Sequence, residues 1–165
     1  MTDNKGQISA EFLFLLGVLI LIVMLSVVFV AQEYELNIAM AAARNGATEG
    51  AAALSGGIYP EDTFREYSTS KTGLLSPYSV EIINISYADL GHDINYDKKR
   101  IQFKVYAKTS QRFNSDELVS IGDRINYNLR KSLAVSFNST ASTNKLYNPV
   151  FSSHYVYTTA NVKWV

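Results

Sequence analysis

The chain of 165 residues has no cysteine. Disulfide frameworks, zinc–thiolate sites, iron–sulfur clusters and thiol nucleophiles are therefore excluded. Its two histidines, His92 and His154, lie far apart in sequence and have no metal-ligand spacing. Charge of either sign is not in surplus, with 15 basic and 15 acidic residues. A nucleic-acid binder needs a basic excess to neutralise phosphates, so that class of partner is not expected. No phosphate-binding loop, GxSxG elbow or HExxH pair occurs. An enzyme is not expected, nor is a cofactor. The mean hydropathy is about zero, but the apolar residues are concentrated near the N-terminus.

Phe12 to Ala31 reads FLFLLGVLILIVMLSVVFVA, and 16 of these 20 residues are Leu, Ile, Val or Phe. Only Gly17 and Ser26 interrupt the large side chains, and no charge follows until Glu33. Twenty helical residues span about 30 Å, the thickness of a bilayer core. Sixteen such side chains favour insertion by about 5–10 kcal/mol. A soluble core helix keeps a polar face, and this run has none. Lys5 precedes the run, and Glu33 and Glu35 follow it. The positive-inside rule then puts the N-terminus in the cytoplasm and residues 33–165 outside. A secretory signal is shorter and ends in a small-x-small site. Here Phe29 occupies the −3 position for a cut after Ala31, and Ala41–Ala43 lies too far beyond.

The residues before the run are more specific: Lys5-Gly6-Gln7-Ile8-Ser9-Ala10-Glu11-Phe12. A short charged leader ends in Gly, and a Gln-x-Ser-x-Glu stretch enters the apolar helix directly. This resembles the class III signal peptides of archaeal type IV pilin-like proteins, in particular methanogen-type adhesion pilins. Archaellin precursors fit less well, because their mature N-termini are Gly-rich and lack the Glu. Bacterial tight-adherence pseudopilins are a nearer rival. The resemblance covers the leader and residues 7–31, and none of the remainder.

It implies that a prepilin peptidase cuts between Gly6 and Gln7, removes residues 1–6 and leaves the apolar helix on the mature chain. Glu11 becomes the fifth mature residue, within reach of the new amine on Gln7. The resemblance implies that this pair sets axial register during assembly. The bland alternative is an interfacial carboxylate favoured by a helix N-terminus. The implied partners are copies of the same chain in a helical filament, the peptidase, the membrane before assembly and a pilus assembly platform.

From Glu33 to Leu54 there are eight alanines and no proline, which favours helix. Gly56-Gly57 and Pro60 then supply a stop. The helix is expected over 7–57, with 12–31 as its membrane or filament core. Ala42, Gly46 and Gly50 repeat at four-residue spacing, as do Ala39, Ala43 and Ala47. Such rows let another backbone approach closely, either the chain's own head or a neighbouring subunit.

Residues 58–165 are long enough for an independent head. Residues 58–77 read as loop. Tyr78–Tyr87 reads as a strand with an ambiguous buried face. Arg100–Thr109 reads as a strand with Ile101, Phe103, Val105 and Ala107 on one side, and Ala88–Lys99 as a long hairpin connection between the two. A helix follows, with Ser115 as N-cap, Asp116 and Glu117 in its first turn, and Arg130 and Lys131 in its last. Its stripe is Leu118, Ile121, Ile125, Leu129 and Leu133. Residues 138–149 read as loop, and 150–165 as one or two strands. The composition gives α+β. The resemblance implies a pilin-like arrangement, in which the long N-terminal helix carries an antiparallel sheet-and-helix head.

Asn84-Ile85-Ser86 and Asn138-Ser139-Thr140 are N-glycosylation sequons, and Asn138 has the more exposed setting. The charge run Asp97-Lys98-Lys99-Arg100 reads as a solvated hairpin end rather than an anion site. Asp116, Glu117 and Asp123 read as helix-cap carboxylates rather than a cation site. The 11 tyrosines are commonly strand residues with a wet hydroxyl. Three functions fit this pattern. The first is a major pilin for surface attachment. The second is a minor pilin or pseudopilin of the same system. The third is a single-pass anchored binding domain that never polymerises.

Overall fold

The computed structural model describes residues 4–52, 80–110 and 112–165, and the side chains among these from residue 9 onward. The expected loop at 58–77, the Gly56-Gly57 stop and Pro60 lie outside the described residues. The first helix, α1, runs Asn4–Ala52 without a break. The chain divides into two compact units, Met1–Asn37 and Ile38–Val165. The second unit thus includes the last part of α1.

In that unit the strands are β1 (Val80–Asp93), β2 (Lys98–Thr109), β3 (Val150–Phe151), β4 (Tyr155–Thr159) and β5 (Lys163–Trp164), and the second helix is α2 (Ser115–Ser136). The arrangement is α+β, as expected. The sheet order is β1-β2-β4-β3, with β5 also on β2. It is mixed rather than antiparallel. β1 pairs antiparallel with β2, and β3 antiparallel with β4, but β4 and β5 run parallel to β2. The reason is the crossover. A 22-residue helix returns the chain by about 33 Å, so β4 starts at the same end of the sheet as β2.

β2 alternates as expected: Ile101, Phe103, Val105 and Ala107 are all buried. The ambiguity in β1 is resolved by a register shift between Ile82 and Asn84. Before it Val80 faces the core, and after it Ile85 does. The extra residue, Ile83, changes the phase and is itself exposed. The hairpin is tighter than expected, with strands reaching Asp93 and Lys98 around a turn of four residues. At its base buried Asp93 pairs with Arg100 and accepts from the Asn95 backbone N–H at 3.0 Å.

The N-cap of α2 is Asn114, not Ser115. Both residue types cap well, and the choice is settled by Glu117 three positions on. Asn114 Oδ1 accepts from the Glu117 N–H, and Glu117 Oε2 accepts from the Asn114 N–H, each at 2.8 Å. The helix also runs past Arg130 and Lys131, so neither lies in its last turn. Its stripe packs inward: Ile121, Ile125, Leu129 and Leu133 are fully buried, while Leu118 at the start of the stripe is half-buried. Arg130 donates to Leu146 O and Thr159 Oγ1, fastening α2 to the following loop and to β4. Burial pushes its guanidinium below the ordinary value, partly offset by Asp123 and Tyr127.

The end of α1 lies against α2 with no room to spare. A Cβ added at Gly46 would stand 2.5 Å from the Asn128 carbonyl oxygen and 2.8 Å from Leu129 Cα. One added at Gly50 would stand 2.9 Å from Ile125 Cα. Backbone cannot yield as a flexible side chain can. Arg124, also buried, donates from Nε to Gly50 O at 3.2 Å. That places a cation where the α1 dipole is negative.

Glycine-to-alanine replacement in a helix ordinarily gains about 1 kcal/mol. Gly46→Ala is expected to do the reverse, destabilising the head by about 1–3 kcal/mol through overpacking. Gly17, with nothing within 4 Å, is the control. Thermal unfolding of the full chain should register a loss for Gly46→Ala and none for Gly17→Ala.

Candidate assembly segment

In the first unit the helix is exposed throughout from Ser9 to Val30. Seventeen large apolar side chains between Phe12 and Val30 are 40–77% exposed. They lie on every side, so no stripe could be buried by docking one face. Its most apolar 18-residue window has mean hydropathy 3.3 and is wholly uncovered. By length and composition this helix can cross a membrane. Ser26 does not spoil it, since its hydroxyl donates to Ile22 O at 2.8 Å, one turn back along the same helix. Gly17 leaves a bare spot on the rod.

Gly6 and Gln7 both have helical backbone. Glu11 is exposed on the same helix, immediately before Phe12. Gln7 and Glu11 are four residues apart on the helix, about one turn. An amine created at Gln7 by cleavage would therefore lie one turn from a carboxylate.

The other sequence candidates lie in the second unit. Ala42, Gly46 and Gly50 are buried there, as are Ala39, Ala43 and Ala47. The two glycines face α2 of the same chain. Asn84 is exposed in β1, opposite Tyr106 of β2. Asn138 is exposed just beyond α2 with φ 51°, a left-handed conformation that Asn tolerates at a helix end. Ser139, the middle residue of that sequon, is buried. His92 lies 3.2 Å from Asp97 at the exposed hairpin end. Among the described residues no group of three or more His, Asp or Glu side chains is gathered.

Two features escaped the sequence reading. The Asn114-x-x-Glu117 box was visible as a spacing. The groove between α2 and the C-terminal strand, lined by Asn126 and Trp164, left no trace in the linear order.

Residues 4–30 match the class III signal peptide family. No curated protein and no solved structure matches the chain. The family match spans the leader and the bare apolar run, and none of the head. It is consistent with a type IV pilin-like precursor that is processed by a prepilin peptidase and inserted in a membrane. With the apolar helix, it fits a membrane-anchored precursor that is later surface-exposed.

Two lysines in the middle of the run should cancel its membrane affinity. Leu19→Lys with Ile22→Lys shifts insertion by about 6–8 kcal/mol, comparable to the whole favourable sum. Alkaline carbonate should then extract the double variant and leave the unaltered chain in the membrane fraction.

Proposed function

We propose that the chain is a major pilin of an archaeal type IV-like pilus used for surface attachment. It is made as a single-pass prepilin with its N-terminus in the cytoplasm. Prepilin peptidase cuts between Gly6 and Gln7. The mature chain then leaves the bilayer and packs its α1 among the α1 helices of other copies, through the assembly platform. The observation that carries this reading is a coincidence of position. The stretch that matches the class III signal peptide, 4–30, contains the apolar run, 12–30, that is exposed on every side.

The physical logic is one of exchange. Neighbouring helices replace lipid tails around Leu, Ile and Val surfaces of the same polarity, so extraction need not cost the full insertion energy. A carboxylate moved into a helix bundle needs a partner, because an unpaired buried charge costs several kcal/mol. The amine on Gln7, of the same or the next subunit, supplies it. Glu11 thereby fixes axial register at little net gain in stability. The chain's part is architectural rather than enzymatic. A glycan on Asn138, and less readily on Asn84 within its strand, would shield the fibre from proteolysis.

Mass spectrometry of the mature protein is expected to give Gln7 as the first residue. A start at Met1 or Thr2 in surface material would leave only the anchored, non-polymerising alternative. Glu11→Ala should be inserted and cleaved normally but form few filaments. Wild-type filament yield from that variant would remove the register role. Counting copies in purified fibres separates a major pilin from a minor pilin or pseudopilin.

A further inference from the structure

The sheet and α2 present outer faces of opposite sign. Along β2, Ile101, Phe103, Val105 and Ala107 are buried, so the residues between them stand on the open face of the sheet. Lys104, Tyr106 and Lys108 follow one another there at a spacing of about 7 Å. Lys163 of β5 pairs in register with Tyr106. Its Nζ stands 5.6 Å from the centre of the Tyr106 ring, so it belongs to the same face.

Acid is scarce on this face. The β1 partners are Ser86 at Lys104, Asn84 at Tyr106 and Glu81 at Lys108. Only Lys108 therefore has a carboxylate across from it. Among the described residues the three lysines form no ion pair. Solvated sheets gain from opposite charges set across strands. Lys104 and Lys163, both next to Tyr106, have none.

Helix α2 packs on the other side of the sheet. Gly122 lies against Val162 and Trp164, and Asn126 Nδ2 donates to Ala160 O at 3.0 Å. The buried stripe of α2 is Ile121, Ile125, Leu129 and Leu133. Asp116, Val119 and Asp123 lie on the reverse of that stripe, the aspartates exposed and Val119 61% exposed. Asp116 and Asp123 are seven residues apart, about 10 Å along the helix, with Val119 between them. Glu117 is tied into the helix cap. Arg130 feels Asp123 but donates to Leu146 O and Thr159 Oγ1.

We propose that the lysine face of one copy docks on α2 of the next, with Lys104 and Lys163 meeting Asp116 and Asp123, and Val119 set on Tyr106 between them. This rests on the filament reading above and adds a contact between heads to the contact between α1 helices. Charge complementarity selects the occupant. The chain has 15 basic and 15 acidic residues, yet it gathers uncompensated lysine on one face of the head and aspartate on the reverse, so it is matched to itself. The spacings agree as well. Lys104 and Lys163 are two residues along and one strand apart, about 8 Å, and the flexible lysine stems cover the difference from the aspartates. A small apolar centre with charge at its rim is the anatomy of a protein interface. The two faces are different surfaces, so the contact is heterologous, the kind that runs from copy to copy in a helical fibre.

Fibres of the unaltered chain would be treated with a water-soluble carbodiimide, which joins carboxylates to amines already in contact, and digested for mass spectrometry. Cross-links from Lys104 or Lys163 to Asp116 or Asp123 are expected. They cannot form within one chain, because the sheet and the body of α2 lie between the two faces. Fibres that form without any of these cross-links would overturn the head contact and leave the filament reading standing. Absence of fibres from the unaltered chain would remove both. Charge reversal gives a second readout. Lys104→Glu with Lys163→Glu should lower fibre yield about tenfold or more, with leader removal unchanged. Adding Asp116→Lys and Asp123→Lys should return the yield to within about threefold of the unaltered chain. Full yield from the Lys→Glu pair would overturn the proposal. So would a processed, protease-resistant fourfold variant that assembles no better than that pair. Where the fourfold variant does not fold, the cross-links and the yield of the Lys→Glu pair decide.

Discussion

The apolar surface of residues 12–30 is the constraint to which the rest of the molecule answers. Water cannot be its neighbour on any side, since no polar stripe exists to turn outward. Lipid or other helices can. The same lack of a preferred face makes the segment compatible with either neighbour. Charge stands only at its ends, where Glu11 is the first before the run and Glu33 the first after it.

The second unit begins while α1 is still running, at Ile38. From there the helix changes character from large apolar residues to alanine and glycine. This exchange of bulk for closeness lets α2 lie against it at Gly46 and Gly50. The small-residue rows are thus occupied within the chain itself. Arg124 at Gly50 O adds a hydrogen bond to that contact. The head is built on the helix, not merely attached after it.

Much of this was legible in the order of residues. The apolar run, the alternation of β2 and the stripe of α2 depend on local period, which a sequence displays directly. The motif at Gly6–Glu11 was legible because its spacing is covalent. What was not legible depended on distance in space. The phase of β1 changes at a single extra residue, Ile83, which carries no mark of its own. The parallel course of β4 follows from where α2 returns the chain. Ser115 also carries a capping side chain, but the reciprocal bond with Glu117 selects Asn114. The groove at Asn126 and Trp164 needs two segments 38 positions apart to be brought together, and no periodicity records that.

The irregularities of β1 have a consequence for how such a molecule can associate. Among the described residues β1 pairs only with β2, so it forms an edge of the sheet. A flat, regular edge of 14 residues would be a template for edge-to-edge stacking of heads. Its ladder is broken twice, between Ile82 and Asn84 and between Asp89 and His92. These breaks leave no long run of evenly spaced amides for another strand to read. The bulges make this edge a poor template for pairing with another strand.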